Sequence, residues 1–237
     1  MYLLKNFKNS RENTFHAMNK LLFVFLCILF FSCDNEENKD EFTIGIFGGS
    51  VSCRTEGDII KRDWAQRLGA QIITKGVGGA GFSSLTENNI PSQIKNSESY
   101  DAYILWASTN DVVYATVGGL NDFDEKTQSG GIYKSINLIK EKNPEATIIF
   151  FGSLPAFNTY YKRIEHFVES QKLICDSLNI PYLDQFILCD FTFCNYSNYY
   201  FPDTYHLQSS GYLKMAEIQY DFLYKHLQDK IANHNIK

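Results

Sequence analysis

The sequence predicts an α/β protein, a three-layer α/β/α sandwich in which helices cover both faces of a central parallel sheet of about five strands. Short, mostly apolar runs of strand length alternate along the chain with longer segments whose apolar residues recur at helical spacing. This alternation is typical of parallel sheets, which are buried on both faces. The 237 residues, 44% of them hydrophobic and 21% charged, suit one globular domain with one core.

The first predicted unit is a strand, a loop and a helix. Residues 42–47 are mostly apolar, and the two glycines that follow them end the strand. Residues 58–68 form the predicted helix, because three apolar residues recur there at helical spacing: Ile59, Trp64 and Leu68.

The other predicted elements continue the alternation. Strands are predicted at residues 71–74, 102–106, 146–151 and 181–183. Helices are predicted at residues 132–142, 164–178 and 210–231. The segment 189–201 is rich in Phe and Tyr but has no regular period, and we expect it to be a loop.

The N-terminal 33 residues are predicted to be a signal segment. A short apolar run, residues 21–33, follows Lys20 and is too short to cross a bilayer comfortably. It resembles a bacterial lipoprotein signal, which is cut before a cysteine, here Cys33, that becomes lipidated. Two aromatic residues precede Ser32 where that signal has an aliphatic and a small residue, so a plain secretory signal or an uncleaved anchor stays an alternative. Met18 would give a more compact signal than Met1.

Residues 34–41 are acidic and lack apolar side chains, which predicts a disordered tether before a domain at 42–237. Their acidity is similar to the surface-export signals of Bacteroidetes lipoproteins, although a plain solvated spacer has the same composition. We expect the protein to be exported and held by its lipid at a bacterial membrane, namely the outer membrane, with the domain exposed at the surface. That lipid is the predicted membrane contact.

Charge and cysteine content exclude two kinds of function. The formal net charge is −5 and the basic residues are scattered, so no nucleic-acid partner is expected. The domain has four cysteines without a CxxC pair or a histidine at ligand spacing, and no metal site is predicted. Two of them, Cys189 and Cys194, form either a small disulfide loop or a pair of free thiols.

Candidate catalytic groups follow three predicted strands and precede the last helix. Asp203 and His206 are three residues apart, so the carboxylate can hold one imidazole nitrogen and leave the other free to accept a proton. Ser50 follows a strand and two glycines and is the best candidate nucleophile; Ser52 is a nearby alternative. Because the carboxyl ends of parallel strands meet at one edge, these residues are expected close together.

Oxyanion donors are predicted in two further segments. The loop 76–81 is rich in glycine and its amides could face a developing negative charge, as could the side-chain amide of Asn110. Taken singly, each segment is better explained as a tight turn. The loop also fits the dinucleotide fingerprint, but it follows the second strand, and Asp101 precedes the third strand instead of ending it.

Taken together, these motifs resemble those of the SGNH hydrolases, also called the GDSL esterase and lipase family, over residues 42–227. The segment 202–216 is the most specific part of the resemblance. It implies a flavodoxin-like sheet, a catalytic triad without metal or cofactor, and an oxyanion hole. The implied triad is Ser50, His206 and Asp203, and the implied oxyanion donors are the Ser50 amide, Gly79 and Asn110.

The sequence departs from the family's motifs at two positions. Gly49 stands where the family has the aspartate of its G-D-S box, and Ser108 stands where it has a glycine two positions before the asparagine. Neither change removes a proposed catalytic group, but the lost aspartate is expected to alter how the serine loop is braced. Gly79 is assigned on spacing, with Gly78 and Gly81 as alternatives.

The implied activity is two-step ester hydrolysis, with short-chain acyl esters on carbohydrates as the expected substrates. A lipid esterase and a non-catalytic glycan-binding protein with the same fold are the alternatives. Six aromatic residues before the acid and base could bind sugar or acyl groups, or could serve only to anchor their loop. They are Phe191, Phe193, Tyr196, Tyr199, Tyr200 and Phe201.

Overall fold

A computed structural model of the protein describes residues 41–236. The strands are β1 Thr43–Gly48, β2 Gln71–Thr74, β3 Ala102–Trp106, β4 Thr147–Phe151 and β5 Tyr182–Leu183. The helices are α1 Ser50–Cys53, α2 Asp58–Leu68, α3 Ile90–Lys95, α4 Asn110–Tyr114, α5 Gln128–Lys142, α6 Tyr161–Ser177, α7 Gln185–Leu188 and α8 Ser209–His234. The signal segment and most of the tether predicted before Glu41 lie outside the described residues.

The five strands form one parallel sheet in the order β2-β1-β3-β4-β5, which confirms the predicted fold class. The register pairs Gly48 at the end of β1 with Trp106 at the end of β3, and Trp106 with Phe151 at the end of β4. The carboxyl ends of the three central strands therefore lie side by side at one edge.

Buried side chains lie on both faces of the sheet because successive residues of each strand point to opposite sides. Ile46 packs in one core cluster, which α2 and α8 cover, and Phe47 packs in the other, which α3 and α5 cover. On the first face, Trp64 of α2 is fully buried and its indole N–H donates to the carbonyl of Ala216 on α8 at 3.4 Å. The structure thus has three layers.

Local contacts shift some helices from their predicted positions. Ile59 was expected on the apolar face of α2, but it is 51% exposed, and Ile60 is buried one turn before Trp64 instead. Helix α5 begins four residues earlier than predicted because the Thr127 hydroxyl accepts the Gly130 N–H at 3.0 Å and caps the helix. The short helices α1, α3, α4 and α7 were not predicted.

The cysteines of the described domain are free, which decides between the two alternatives for Cys189 and Cys194. Cys189 is buried, and burial raises the pKa of its thiol to about 12. Between residues 41 and 236, no helix combines the length and the apolar character needed to span a bilayer. The apolar run 21–33 lies outside this range.

Candidate active site

The candidate site lies at the edge where β1 and β3 end. Ser50 begins α1 two residues after β1, and Asn110 begins α4 four residues after β3. Because Gly48 and Trp106 are paired in register, the two loops start side by side. The segment 201–207, which precedes α8, supplies the acid and the base.

A carboxylate, an imidazole and a hydroxyl form a continuous hydrogen-bonded chain. His206 Nε2 lies 2.9 Å from Ser50 Oγ, and His206 Nδ1 lies 2.8 Å from Asp203 Oδ2. The structure therefore brings together three predicted residues, although 156 positions separate the serine from the histidine. This geometry lets the imidazole accept the serine proton while the carboxylate stabilises the charge that the ring gains.

Asp203 is held by the backbone of its own turn. Its Oδ1 accepts the N–H groups of His206 at 2.9 Å and Tyr205 at 3.1 Å, and Thr204, which follows Asp203, adopts the left-handed conformation with φ of 68°. Partial burial raises the pKa of the Asp203 carboxyl, but hydrogen bonds from His206 and Tyr205 outweigh this and lower the pKa below its ordinary value. The carboxylate is thus kept charged opposite the imidazole.

The turn is fastened to the loop that follows β4, a contact that the sequence did not predict. The Phe157 N–H donates to the Thr204 carbonyl at 3.0 Å, and Asn158 Nδ2 donates to Thr204 Oγ1 at 3.2 Å. Nothing in the spacing of these residues, more than 40 positions apart, could have revealed the contact.

The serine loop is braced by buried groups on two helices. The buried Lys61 on α2 donates from Nζ to the Ser52 carbonyl at 3.1 Å, and the Tyr212 hydroxyl on α8 donates to the Val51 carbonyl at 2.8 Å. The Ser52 hydroxyl is buried and donates to the Gly49 carbonyl at 2.7 Å. Ser52 is therefore engaged within the loop, while Ser50 is the serine that contacts His206.

The glycine loop and Asn110 meet at one residue. Gly79 has a φ of 82° and a Cβ there would meet no atom within 4 Å, so this position needs glycine for its conformation and not for space. Asn110 Nδ2 donates to the carbonyl of Ala80, the next residue, at 2.9 Å. The two predicted oxyanion segments are thus in direct contact.

A buried carboxylate, that of Asp111, ties the same loop to α4. Asp111 accepts the Phe82 N–H on Oδ2 and the Ser83 N–H on Oδ1, both at 2.8 Å, and is fully buried. Burial raises the pKa of Asp111 to about 6 against the lowering effect of the two amides and Gln128. Gly81 leaves room for this carboxylate, since a Cβ there would lie 2.6 Å from Asp111 Oδ1.

Most of the aromatic segment anchors its loop. Phe191 and Tyr200 are buried, and the ring centroids of Phe157 and Tyr200 lie 5.2 Å apart. Phe193 is 59% exposed and packs edge-to-face on Phe157. Beside the histidine itself, the Tyr205 ring lies 4.7 Å from the His206 ring and is 40% exposed.

The described residues contain no group of three or more His, Cys, Asp or Glu side chains arranged to hold a metal ion. The site groups are a hydroxyl, an imidazole and a carboxylate beside backbone and side-chain amides. A set of this kind, beyond the carboxyl ends of parallel strands, is the arrangement that hydrolases of the serine type use. The fold and site together define an α/β sandwich protein whose candidate site has the groups that a serine-type hydrolase uses.

The family is shown by sequence. The model of the GDSL-like Lipase/Acylhydrolase family matches residues 40–214, and the chain belongs to this family. No curated protein matches the chain closely enough to be counted as a relative.

Several solved structures share the fold at low sequence identity. A carbohydrate acetylesterase from Sinorhizobium meliloti is 14% identical with a TM-score of 0.60, over 78% of this chain and 99% of that one. A lipase/acylhydrolase from Enterococcus faecalis is 16% identical with a TM-score of 0.55, over 80% and 96%. A family two carbohydrate esterase from Clostridium thermocellum is 14% identical with a TM-score of 0.57, over 79% and 64%.

Proposed function

We propose that the protein is a serine esterase that hydrolyses short-chain acyl esters, chiefly acetyl esters, on carbohydrates. The observation that carries the proposal is the 2.9 Å contact between His206 Nε2 and Ser50 Oγ, backed by Asp203 at 2.8 Å on the other ring nitrogen. Membership of an acylhydrolase family supports the reaction class.

In the proposed reaction His206 removes the Ser50 hydroxyl proton as Ser50 Oγ attacks the ester carbonyl. The tetrahedral intermediate collapses to an acyl-serine, and His206 passes its proton to the departing alcohol oxygen. Water then gives a proton to His206 and attacks the acyl group, and the carboxylic acid leaves as Ser50 regains its proton. Asp203 orients the ring and stabilises its charged form in both halves.

Three donors are proposed to bind the negative oxygen of each intermediate: the Ser50 and Gly79 amides and the Asn110 side chain. Ser50 lies at the first position of α1, where backbone N–H groups have no partner within the helix. Asn110 lies beside Gly79 because its side-chain amide donates to the carbonyl of Ala80, the residue that follows Gly79. Such donors act most strongly when they are fixed before the charge develops.

A carbohydrate substrate is supported by the openness of the site. The His206 side chain is 21% exposed and that of Asp203 36%, so a bulky alcohol can approach the reacting bond. Tyr205 presents an exposed aromatic ring beside His206, a surface on which a sugar can stack. Two proteins with this fold are described as carbohydrate esterases.

A lipid esterase is the second candidate, favoured by the exposed Phe193. Its ring packs on Phe157, whose N–H binds the Thr204 carbonyl between Asp203 and His206, so an apolar surface adjoins the site. The chain-length preference of the enzyme separates the two candidates. A glycan-binding protein without activity is the third candidate, and the Ser50 variant below separates it from both.

The test compares residues 34–237 with the Ser50→Ala and Ser177→Ala variants on aryl acetate and aryl octanoate. Ser177 ends α6 and its hydroxyl donates to the Ile174 carbonyl, so its loss should not change the rate. We expect acetate to be preferred, Ser50→Ala to abolish turnover, and acetylated polysaccharide to release acetate. Turnover that survives in Ser50→Ala would overturn the triad, and preference for octanoate would favour the lipid esterase.

We also propose that the chain is exported and lipidated at Cys33. The sequence features that support this are the short apolar run after Lys20 and the acidic residues after the cysteine. In a bacterial host fed a radiolabelled fatty acid, the full chain should incorporate label and the Cys33→Ser variant should not. Equal labelling of both chains would contradict the proposal.

A further inference from the structure

Two departures from the family's motifs meet at one place in the structure. A Cβ built on Gly49 would lie 2.6 Å from Ser108 Oγ, 2.9 Å from Ser108 Cβ and 2.7 Å from the Ala80 carbonyl oxygen. The φ of Gly49 is −89°, which other residues adopt readily. Position 49 therefore needs glycine to leave room for two neighbours, the Ser108 side chain and the Ala80 carbonyl.

That side chain holds Asn110. The buried Ser108 hydroxyl accepts the Asn110 backbone N–H at 3.1 Å and its Nδ2 at 2.7 Å. Thr109, which precedes α4, makes no side-chain cap, so Ser108 supplies the acceptor for the first N–H of this helix. The second Nδ2 hydrogen is donated to the Ala80 carbonyl at 2.9 Å, so the amide is held at two points and the substrate oxygen would replace this carbonyl as its acceptor.

We propose that Ser108 is a positioning residue that fixes the Asn110 amide for the oxyanion site, and that Gly49 is required to accommodate it. The inference rests on the proposed role of Asn110. In the family's pattern an aspartate at position 49 and a glycine at 108 place the side chain on the loop after β1. In this chain the Ser108 side chain, on the loop after β3, occupies the space beside position 49.

A double-mutant cycle tests the proposal on the full-length chain with aryl acetate. Active sites are counted with a serine-reactive fluorophosphonate, so that unfolded molecules do not lower kcat. Because Asn110 would act on the transition state, Ser108→Ala should lower kcat by about tenfold and leave KM within about twofold. In an Asn110→Ala background, Ser108→Ala should cost no more than about twofold.

Ser153→Ala is the matched control. Ser153 also lies two residues after a strand, is buried, and accepts a side-chain amide, Gln171 Nε2, at 2.9 Å. Its replacement should leave kcat per active site unchanged. The proposal fails if Ser108→Ala leaves kcat unchanged, or if it costs the same factor with and without Asn110.

A second pair of variants tests the shared space. Gly49→Ala should lower kcat in the native background, and it should lower it by a smaller factor when Ser108→Gly has removed the nearest clash. The Ala80 carbonyl lies close to the new Cβ of Gly49→Ala in both backgrounds. The loss of kcat should therefore be smaller in the Ser108→Gly background but not zero. Equal losses in the two backgrounds would contradict the link between the positions, and this pair decides the matter if Ser108→Ala does not fold.

A failure of the inference can be told from a failure of the proposed function. If turnover survives in Ser50→Ala, the proposed function fails; if turnover needs Ser50 but not Ser108, only this inference fails. In a protein without esterase activity, NMR of the Asn110 side-chain amide still tests the contact. Ser108→Ala should speed exchange of its protons with water, and unchanged exchange would overturn the proposal.

Discussion

Two carboxylates flank the candidate site and differ in what surrounds them. Asp203 is partly exposed and bonds a histidine ring and two amides of its own turn, and its pKa is lowered. Asp111 is fully buried and bonds two amides of a separate loop, and its pKa is raised to about 6. The proposed role of Asp203 is to act through its charge on His206, whereas Asp111 joins the glycine loop to α4. The site thus has two halves: an acid and base half with Asp203 and His206, and a glycine-loop half with Asn110 and Asp111.

Substitution of the acid or the base should give the largest loss of kcat. We expect His206→Ala to lower kcat by about 10⁶-fold, as loss of the base does in a serine protease, and Asp203→Asn by about 10⁴-fold. His166→Ala is the control, since His166 is exposed on α6. Initial rates on aryl acetate measure both losses, and a loss below about 100-fold for His206→Ala would place the base elsewhere.

Substitution of Asn110, which contacts the glycine loop, should give a smaller loss of kcat. Asn110→Ala removes one proposed oxyanion donor and should lower kcat by about 10²–10³-fold with little change in KM. Asn96→Ala, at the exposed end of α3, is expected to have no effect. A rise in KM with kcat unchanged would show that Asn110 binds the ground state instead.

Substitution of Asp111, the buried carboxylate, should lower the stability of the fold. Asp111→Asn replaces an acceptor of two backbone amides and should lower the free energy of unfolding by about 1–3 kcal/mol. Because the pKa of Asp111 is raised in the folded state from 3.8 to about 6, its contribution is full below pH 4 and is lost as the pH rises through about 6. The deficit of Asp111→Asn in urea unfolding should thus be larger at pH 4 than at pH 7.

Asp203, the exposed carboxylate, should contribute less to the free energy of unfolding than Asp111. Its contribution should also change with pH in the opposite direction. The pKa of Asp203 is lowered by folding, so its contribution to stability is present above the ordinary value of 3.8 and is lost as the pH falls. Its side chain is 36% exposed, and solvent screening keeps this contribution below that of Asp111. Urea unfolding of Asp203→Asn should differ from the native protein at pH 6 and converge with it near pH 3.

The sequence predicted the sheet strand by strand because its buried strands are continuous apolar runs. It also predicted which residues the structure brings together as an acid, a base and a hydroxyl, since two of them lie on one turn and the third follows two glycines. These signals are local. Ile59 was misplaced because it was grouped with Trp64, although a spacing of five residues puts the two about 140° apart around the helix, whereas Ile60 lies four residues before Trp64 on the same face.

The supporting contacts could not be predicted because they join residues far apart in the chain. Lys61 reads as a solvated helix residue, yet it is buried against the Ser52 carbonyl. Ser108 appeared only as a departure from a motif, and its role depends on a glycine 59 positions earlier, since the two loops meet only when β1 and β3 pair. The roles of the proposed catalytic residues remain predictions for the experiments above.

The separation of 156 positions between Ser50 and His206 has a consequence for the order in which the protein matures. A ribosome completes the strand that carries the hydroxyl long before it reaches the imidazole, and the pairing requires closure of nearly the whole domain. A nascent or truncated chain that ends before Asp203 and His206 has the proposed nucleophile but no base to activate it. Ester hydrolysis would then begin only after the chain has been made as far as His206 and the domain has closed, so the activity itself reports that this pairing has formed.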